Sequence, residues 1–235
     1  REYGIGDSIK LASNENPIGP SPMAVAAIKE SINKLNRYPD GSGYDLIRKI
    51  SNHIGFSPQQ IVLGNGSDEI IGMLAFAMLQ QGDEVILPVP SFLMYEIMVR
   101  GAGAIPVFVP LISLSIDLEE IKEKMTSKTR MIFLCNPNNP TGTAISKRDF
   151  ENFLHEMPPE VIVVVDEAYI EFVRDQNCVK SIEYMDNKRP LVTLRTFSKV
   201  YGLAGLRIGY GVMPAEIANI LNRIRLPFNT NLLAQ

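Results

Sequence analysis

The sequence predicts an α/β fold: a three-layer sandwich in which helices cover both faces of a mainly parallel sheet. Three observations carry that expectation. Strand-like and helix-like segments alternate through most of the chain, the signature of parallel strands joined by helical crossovers. Val161 to Val165 is an unbroken apolar run without polar alternation, as befits a strand covered on both faces. Several polar phrases rich in Gly or Pro follow directly on predicted strands, where open α/β sheets hold their ligands.

Each element has its own signal. Ser21 as N-cap and Pro22 at the first helical position start a helix to Asn36, with Val25, Ile28, Ile32 and Leu35 on one face. Tyr38-Pro39-Asp40-Gly41-Ser42-Gly43 is a loop by composition, and Tyr44 to Ile54 is a helix closed by Gly55. Predicted pairs of strand and helix then follow: Gln60–Leu63 with Ser67–Leu79, Glu84–Leu87 with Phe92–Arg100, Ala104–Val109 with Leu118–Met125, and Arg130–Cys135 with Lys147–Glu156. Val161–Val165, Leu191–Leu194 and Leu206–Val212 supply the remaining strands. The mixed charges from Asp117 to Lys124 read as a solvated helix face.

Bulk properties narrow the function. The 235 residues suit one large domain, or one domain with part of another. A net charge of −3 argues against a nucleic-acid surface. No stretch has the unbroken apolar length of a membrane span, and the opening Arg1-Glu2-Tyr3-Gly4 lacks the apolar core of a signal peptide. Two cysteines, Cys135 and Cys178, make neither a disulfide framework nor a zinc spacing; reduced thiols in a cytoplasmic protein are expected. His53 and His155 fall on separate predicted helices with no ligand pattern, so no metal site is expected. No Gly-x-Gly-x-x-Gly and no Gly-Lys-Ser/Thr phrase is present. The chain opens on Arg1 and stops at Leu233-Ala234-Gln235 without a terminal signal, which reads as a fragment at both ends.

The phrases after the strands carry chemistry. Lys199 follows an apolar strand and precedes Gly202 and Gly205. Desolvation there lowers the pKa of an ammonium, and a neutral amine attacks an aldehyde to form a Schiff base; a surface lysine in a turn is the alternative. Ser198 and Arg207 would hold a phosphate, the arginine through its fork of donors. Asp166 ends the most apolar strand and needs a cation or donors; it is a helix cap or structural ion pair, or the partner of a protonated pyridine, the arrangement that makes pyridoxal phosphate (PLP) an electron sink. Tyr169 and Asn139 would donate to the ring phenolate, with an Asx turn the alternative for Asn139. Gly64 to Asp68 leads into a helix whose free N–H groups suit a phosphate, or is an ordinary capped start. Phe92 would stack on a planar ring, or belong to the core. Each signal is weak alone; together they are the parts of a PLP site.

Six phrases, in order, resemble the fold type I PLP-dependent aminotransferase family, and within it the histidinol-phosphate branch: Lys10 to Pro17, Tyr38-Pro39-Asp40-Gly41, Gly64 to Glu69, Asn136 to Gly142, Val165 to Tyr169, and Arg195 to Gly209. The resemblance implies that Lys199 forms the Schiff base and moves protons; Asp166 pairs with the pyridine nitrogen; Asn139 and Tyr169 bind the ring oxygen; Phe92 stacks on the ring; and Ser67, Asp68, Ser198 and Arg207 surround the phosphate. It implies a homodimer in which Tyr38 reaches the neighbouring subunit's cofactor, and ping-pong transamination between glutamate and imidazole-acetol phosphate, giving L-histidinol phosphate in histidine biosynthesis. The implied organisation is an N-terminal arm over residues 1–20 and a cofactor-binding domain over 21–235, incomplete and without the family's small C-terminal domain, so that weak or absent turnover is expected. Ile18 departs from the aromatic residue many members carry near the substrate. The alternatives are a threonine-phosphate decarboxylase-like enzyme, an aromatic aminotransferase, or a non-catalytic PLP-binding regulatory domain.

Overall fold

The computed structural model describes residues 10–186 and 189–235; the first nine residues of the expected arm lie outside them. The elements in chain order are α1 (Pro22–Ser31), α2 (Tyr44–Ile54), β1 (Ile61–Asn65), α3 (Ser67–Met78), β2 (Glu84–Val89), α4 (Met94–Gly101), β3 (Ile105–Pro110), α5 (Leu118–Glu123), β4 (Thr129–Cys135), α6 (Lys147–Glu156), β5 (Ile162–Asp166), β6 (Leu191–Thr196), β7 (Ile208–Val212) and α7 (Ala215–Ile224). The strands form one sheet in the order β1-β7-β6-β5-β4-β2-β3. All neighbours pair in parallel except β7, which runs antiparallel to both β1 and β6. The expected mainly parallel, helix-covered sheet is therefore present.

Strand alternation assigns each side chain to a layer. In β4, Met131, Phe133 and Cys135 face the layer of α3, α4 and α7, whose core residues include Ile70, Leu74, Tyr95, Val99 and Leu221. Ile132 and Leu134 face the opposite layer, where α5 and α6 contribute Ile121, Phe150 and Phe153. Every residue of β5 is buried, as its unbroken apolar run predicts. A smaller cluster packs Ile50 of α2 on Ile61, Leu63, Tyr210 and Val212.

Several expected boundaries shift. The first helix ends at Ser31 and continues as a single 3₁₀ turn over Ile32–Lys34. No residue of α1 is fully buried; Val25 and Ile28 of the expected apolar face are half-buried, and Ile32 and Leu35, beyond the end of α1, are exposed. The helix expected from Phe92 begins at Met94, which leaves Phe92 in the connection after β2. β7 starts at Ile208 because Arg207 adopts a left-handed backbone (φ 51°) that cannot continue a strand. α7 was not anticipated; Ile217, Ala218 and Leu221 dock it on the α3 side. In α5, Leu118 and Ile121 are buried, while the charges pair at the surface, Lys122 with Glu119 and Lys124 with Glu120.

Alternation also separates two adjacent acids. Asp166 shares the face of Ile162 and Val164; Glu167 points the other way, fully buried. Arg195 grips Glu167 Oε2 through Nε (3.0 Å) and Nη2 (2.7 Å), while the Ser181 amide and hydroxyl donate to Oε1. Removing one partner of such a pair strands a charge in a dry site. Arg195→Met is expected to lower unfolding free energy by about 3–5 kcal/mol, read by urea denaturation at pH 7. A loss under ~1 kcal/mol, the range of exposed ion pairs, would refute a structural role for the pair.

Candidate active site

The strand ends converge as expected. The segments after β1, β2, β4, β5 and β6 open on one edge of the sheet, and the reversed direction of β7 brings Arg207, just before it, to the same edge. There they enclose a cleft of about 340 Å³. Its lining includes Ser67, Asp68, Phe92, Asn139, Asp166, Tyr169, Ser198, Lys199 and Arg207, which is every site residue expected from the sequence except Tyr38. Tyr38 lies outside its own chain's cleft, largely exposed, with its ring stacked on Phe228 at 4.6 Å.

One end of the cleft is built for an anion. α3 begins at Ser67, and the first amides of a helix lack intrahelical partners. Arg207 Nη1 donates to Ser198 Oγ (3.4 Å) and to Ala204 O (3.3 Å), and Nη2 meets Asp68 Oδ2 at 3.1 Å. Backbone closeness here demands glycine. Gly66 sits at φ 78°, and a Cβ on it would run into the Arg207 guanidinium; a Cβ on Gly209 would stand 2.5 Å from the Ser67 amide nitrogen. The Thr196 hydroxyl accepts from the Ser198 amide (3.1 Å) and donates to its Oγ (3.0 Å), fixing the turn that carries Ser198 and Lys199.

The floor of the cleft carries Asp166, 3 % exposed. Neither the ion pair nor the helix cap considered for it is present. Instead the Tyr95 hydroxyl donates to Oδ2 (2.8 Å) and the Ala168 amide to Oδ1 (3.1 Å). Burial still pushes its carboxyl up to about 6, against the pull of those two donors. Cys135, beside it, is a buried free thiol pushed up to about 12 by burial and by the nearby Asp166 charge. Phe92 meets Tyr95 edge-on with centroids 5.5 Å apart, and Tyr95 stacks on Phe133 at 4.8 Å.

Lys199 is half-buried, with Nζ donating to Ser13 O (3.1 Å) and lying 5.5 Å from the centre of the Tyr169 ring. Burial pulls its ammonium below the usual lysine value, and the neighbouring Arg207 adds to that pull; Asp68 and Asp166 oppose it. The Tyr169 hydroxyl accepts from Asn14 Nδ2 (2.9 Å). Asn139 stands on a loop fixed from beneath by buried Asn138, which donates to Pro90 O and Thr141 Oγ1 and accepts from Ser91.

Sequence reasoning assigned no role to Ser13, Asn14, Tyr95 or Thr196. Residues 13–20 lie against the Lys199 turn: Asn16 Nδ2 donates to Val200 O (2.8 Å), and Gly202 sits too close to Gly19 for any Cβ. Ser13 (φ 77°), Asn14 (φ 51°) and Arg207 all hold left-handed backbones at the cleft, a conformation that non-glycine residues keep only where surroundings enforce it. Ile18, within this segment, is exposed. His53 and His155 lie on α2 and α6, and no group of three metal-binding side chains occurs among the described residues. No helix among them is long and apolar enough to cross a membrane.

The donor set fits a flat ring carrying a phosphate, an aldehyde and a basic ring nitrogen. A guanidinium, a serine hydroxyl and a helix start occupy one end, a carboxylate the floor, an aromatic side chain one wall, and an amine of lowered pKa the middle. The volume lies within the usual ligand-pocket range of roughly 300–1,000 Å³.

Residues 6–235 match the sequence model of the family described as aminotransferase class I and II. The chain is similar to histidinol-phosphate aminotransferase 2 of Carboxydothermus hydrogenoformans, 51 % identical over all of this chain and 65 % of the relative. The chain thus spans a little under two thirds of that relative's length. Its fold is similar to the crystal structure of histidinol-phosphate aminotransferase from Sinorhizobium meliloti in complex with pyridoxal-5'-phosphate, with TM-score 0.90 and 30 % identity over 94 % of this chain and 60 % of the other. It is also similar to L-threonine-O-3-phosphate decarboxylase from Porphyromonas gingivalis, with TM-score 0.82 and 25 % identity over 94 % and 65 %.

The raised Asp166 pKa has a consequence for stability. A carboxyl that titrates near 6 when folded and at 3.8 when unfolded favours the fold below about pH 4 and loses that contribution as pH rises through 6. The loss amounts to about 3 kcal/mol. In cofactor-free protein, Asp166→Asn is therefore expected to gain on the wild type, on this order, between pH 4 and pH 8 in thermal melts. Parallel stability curves for the two proteins would contradict a desolvated acid at this position.

Proposed function

The chain belongs to the aminotransferase class I and II family, and from that premise we propose that its cleft binds pyridoxal 5'-phosphate on Lys199 and serves transamination between L-histidinol phosphate or imidazole-acetol phosphate and 2-oxoglutarate or glutamate, in histidine biosynthesis. The observation that carries the reading is the gathering of Lys199, Asp166 and Arg207 in one cleft. The 51 % identity across the whole chain supports the choice of substrate.

Bound there, pyridoxal phosphate supplies an electron sink for a carbanion at the substrate Cα. The protein's part is positional and electrostatic. Arg207, Ser198 and the start of α3 at Ser67 and Asp68 would hold the phosphate. Asp166, ionised, would keep the ring nitrogen protonated. Asn139 and Tyr169 would donate to the ring oxygen, and Phe92 would cover the ring face. Lys199 would supply the amine that anchors the aldehyde and the base that holds the proton of Cα. Its lowered pKa suits both tasks, since only the neutral amine attacks or abstracts.

Residues 1–20 are read as an arm, of which 13–20 lies against the Lys199 turn, and residues 21–235 as the cofactor-binding domain. The assembly is read as a homodimer in which Tyr38 serves the partner's cleft; its exposure outside its own cleft and the unburied stripe of Ile32 and Leu35 support this. Two buried reduced thiols suit a cytoplasmic location. Phosphate-directed decarboxylation is a second reading, supported by the likeness to the solved decarboxylase.

With pyridoxal phosphate added, the wild type is expected to develop a visible absorbance band that borohydride fixes covalently, and Lys199→Ala to lose both. An unchanged band in Lys199→Ala would remove the anchor. With L-histidinol phosphate and 2-oxoglutarate, formation of glutamate without CO₂ supports transamination, and CO₂ release supports the second reading. Sedimentation velocity is expected to show two chains, and Tyr38→Ala to weaken cofactor binding without dissociating them.

A further inference from the structure

The buried hydroxyl of Tyr95, on α4, donates to Asp166 from the helical layer, and it has no place in the chemistry assigned so far. We propose that Tyr95 is a positioning residue that keeps Asp166 ionised and fixed in orientation, so that the cofactor's ring nitrogen meets a carboxylate rather than a carboxylic acid. The inference rests on the reading of the cleft as a pyridoxal phosphate site.

The geometry leaves the hydroxyl little freedom. Tyr95 is 1 % exposed, and its ring lies between Phe133, stacked at 4.8 Å, and the edge of Phe92 at 5.5 Å. Its Oη stands 2.8 Å from Asp166 Oδ2. The Ala168 amide holds Oδ1, so each carboxylate oxygen has one fixed donor and the group cannot rotate without breaking both. Phe92 thus touches the residue that orients Asp166 while lining the cleft itself, and the wall and the floor of the site are set by one aromatic cluster.

The direction of the electrostatic effect follows from what surrounds Asp166. Burial is the largest influence and favours the protonated acid; Asp68 on α3 and Glu167 after β5 push the same way. Cys135 on β4 is a neutral thiol at this face, and Lys199 and Arg207 stand across the cleft. Among these influences the Tyr95 hydrogen bond is the largest that favours the ionised form. A donor to a carboxylate stabilises it against protonation, by roughly a factor of ten or more in the equilibrium. Tyr95 itself stays protonated, because burial and the adjacent Asp166 charge raise its pKa well above the usual tyrosine value.

Tyr95→Phe removes the donor and keeps the ring stack. Two readouts are expected to move together. In cofactor-free protein, the Asp166 carboxyl, followed by ¹³C NMR with Asp166→Asn for assignment, should titrate about one pH unit higher than in the wild type. With pyridoxal phosphate, affinity should fall about ten-fold at pH 5 and about two-fold at pH 7, and should match the wild-type value by about pH 9, as the acid ionises unaided. In an Asp166→Asn background, Tyr95→Phe should change affinity less than two-fold, because the hydroxyl acts through the carboxylate. Replacing Tyr95 with 3-fluorotyrosine, a more acidic donor on the same ring, should lower the Asp166 titration instead of raising it; this arm also serves if Tyr95→Phe folds poorly. An Asp166 titration that shifts upward with both replacements, or stays put with both, overturns the proposal. Failure of the wild type to bind pyridoxal phosphate while the titration shifts hold would sink the cofactor reading and leave the Tyr95–Asp166 coupling standing.

Discussion

A carboxylate in a dry place must be met by donors or by a cation, and at the floor of this cleft no cation among the described residues forms an ion pair with Asp166. That constraint explains much of the local architecture. The acid is delivered by the last position of an all-buried strand, where water cannot solvate it. One donor comes from the backbone just ahead, Ala168, and one from a helix of the covering layer, Tyr95. Two neutral donors reduce the penalty of burial without removing it, which is why the carboxyl remains at about 6. A site left in that condition favours a ligand that brings a positive charge to it.

The neighbouring Glu167 shows the contrast. Successive residues of a strand face opposite layers, so two adjacent acids enter two different environments. Glu167 receives two donors of one guanidinium on Oε2 and two donors from Ser181 on Oε1, and it is absent from the cleft lining. Its charge is compensated within the fold, and Asp166 has only neutral partners. The same dipeptide therefore supplies a scaffold and a reactive floor, and the sheet's pleat decides which is which.

Much of this was legible in the sequence because it depends on local pattern. The strand-helix alternation and the unbroken run of Val161 to Val165 follow from what a doubly covered sheet must bury. The residues after the strands were found for the same reason: parallel strands leave their ends on one edge. α7 shows the right spacing in Ile217, Ala218 and Leu221, yet it lies beyond the last strand that the alternation assigns. Tyr95 was not legible locally. It looks like one more apolar residue of an amphipathic helix, and only its meeting with a residue 71 positions away gives it a role. Asn14 and Ser13 are hidden likewise, since an irregular segment reaches Tyr169 and Lys199 through backbone conformations that no hydrophobic period encodes. The stripe that starts on α1 is half-buried at Val25 and Ile28 and exposed at Ile32 and Leu35, since helical periodicity reports an apolar face without saying what covers it.

The antiparallel strand β7 makes sense under the same constraint. In an all-parallel sheet, a residue preceding a strand lies at the edge opposite the ligand. Because β7 is reversed, Arg207 immediately before it arrives beside Ser198 immediately after β6, only nine residues earlier. A tight connection thus places a guanidinium, a serine and Lys199 in one cluster. The proximity of the two cations has a chemical effect, since Arg207 disfavours a charged Lys199 and burial does so more strongly. Asp68 engages the guanidinium at 3.1 Å and moderates that repulsion. An anionic group seated on Arg207 would moderate it further and raise the amine's basicity, so the end of the cleft proposed to grip a phosphate would also govern how readily Lys199 takes a proton. On the proposed reading, binding and proton transfer are coupled through one arginine, and the reversed strand is what puts that arginine within reach of both.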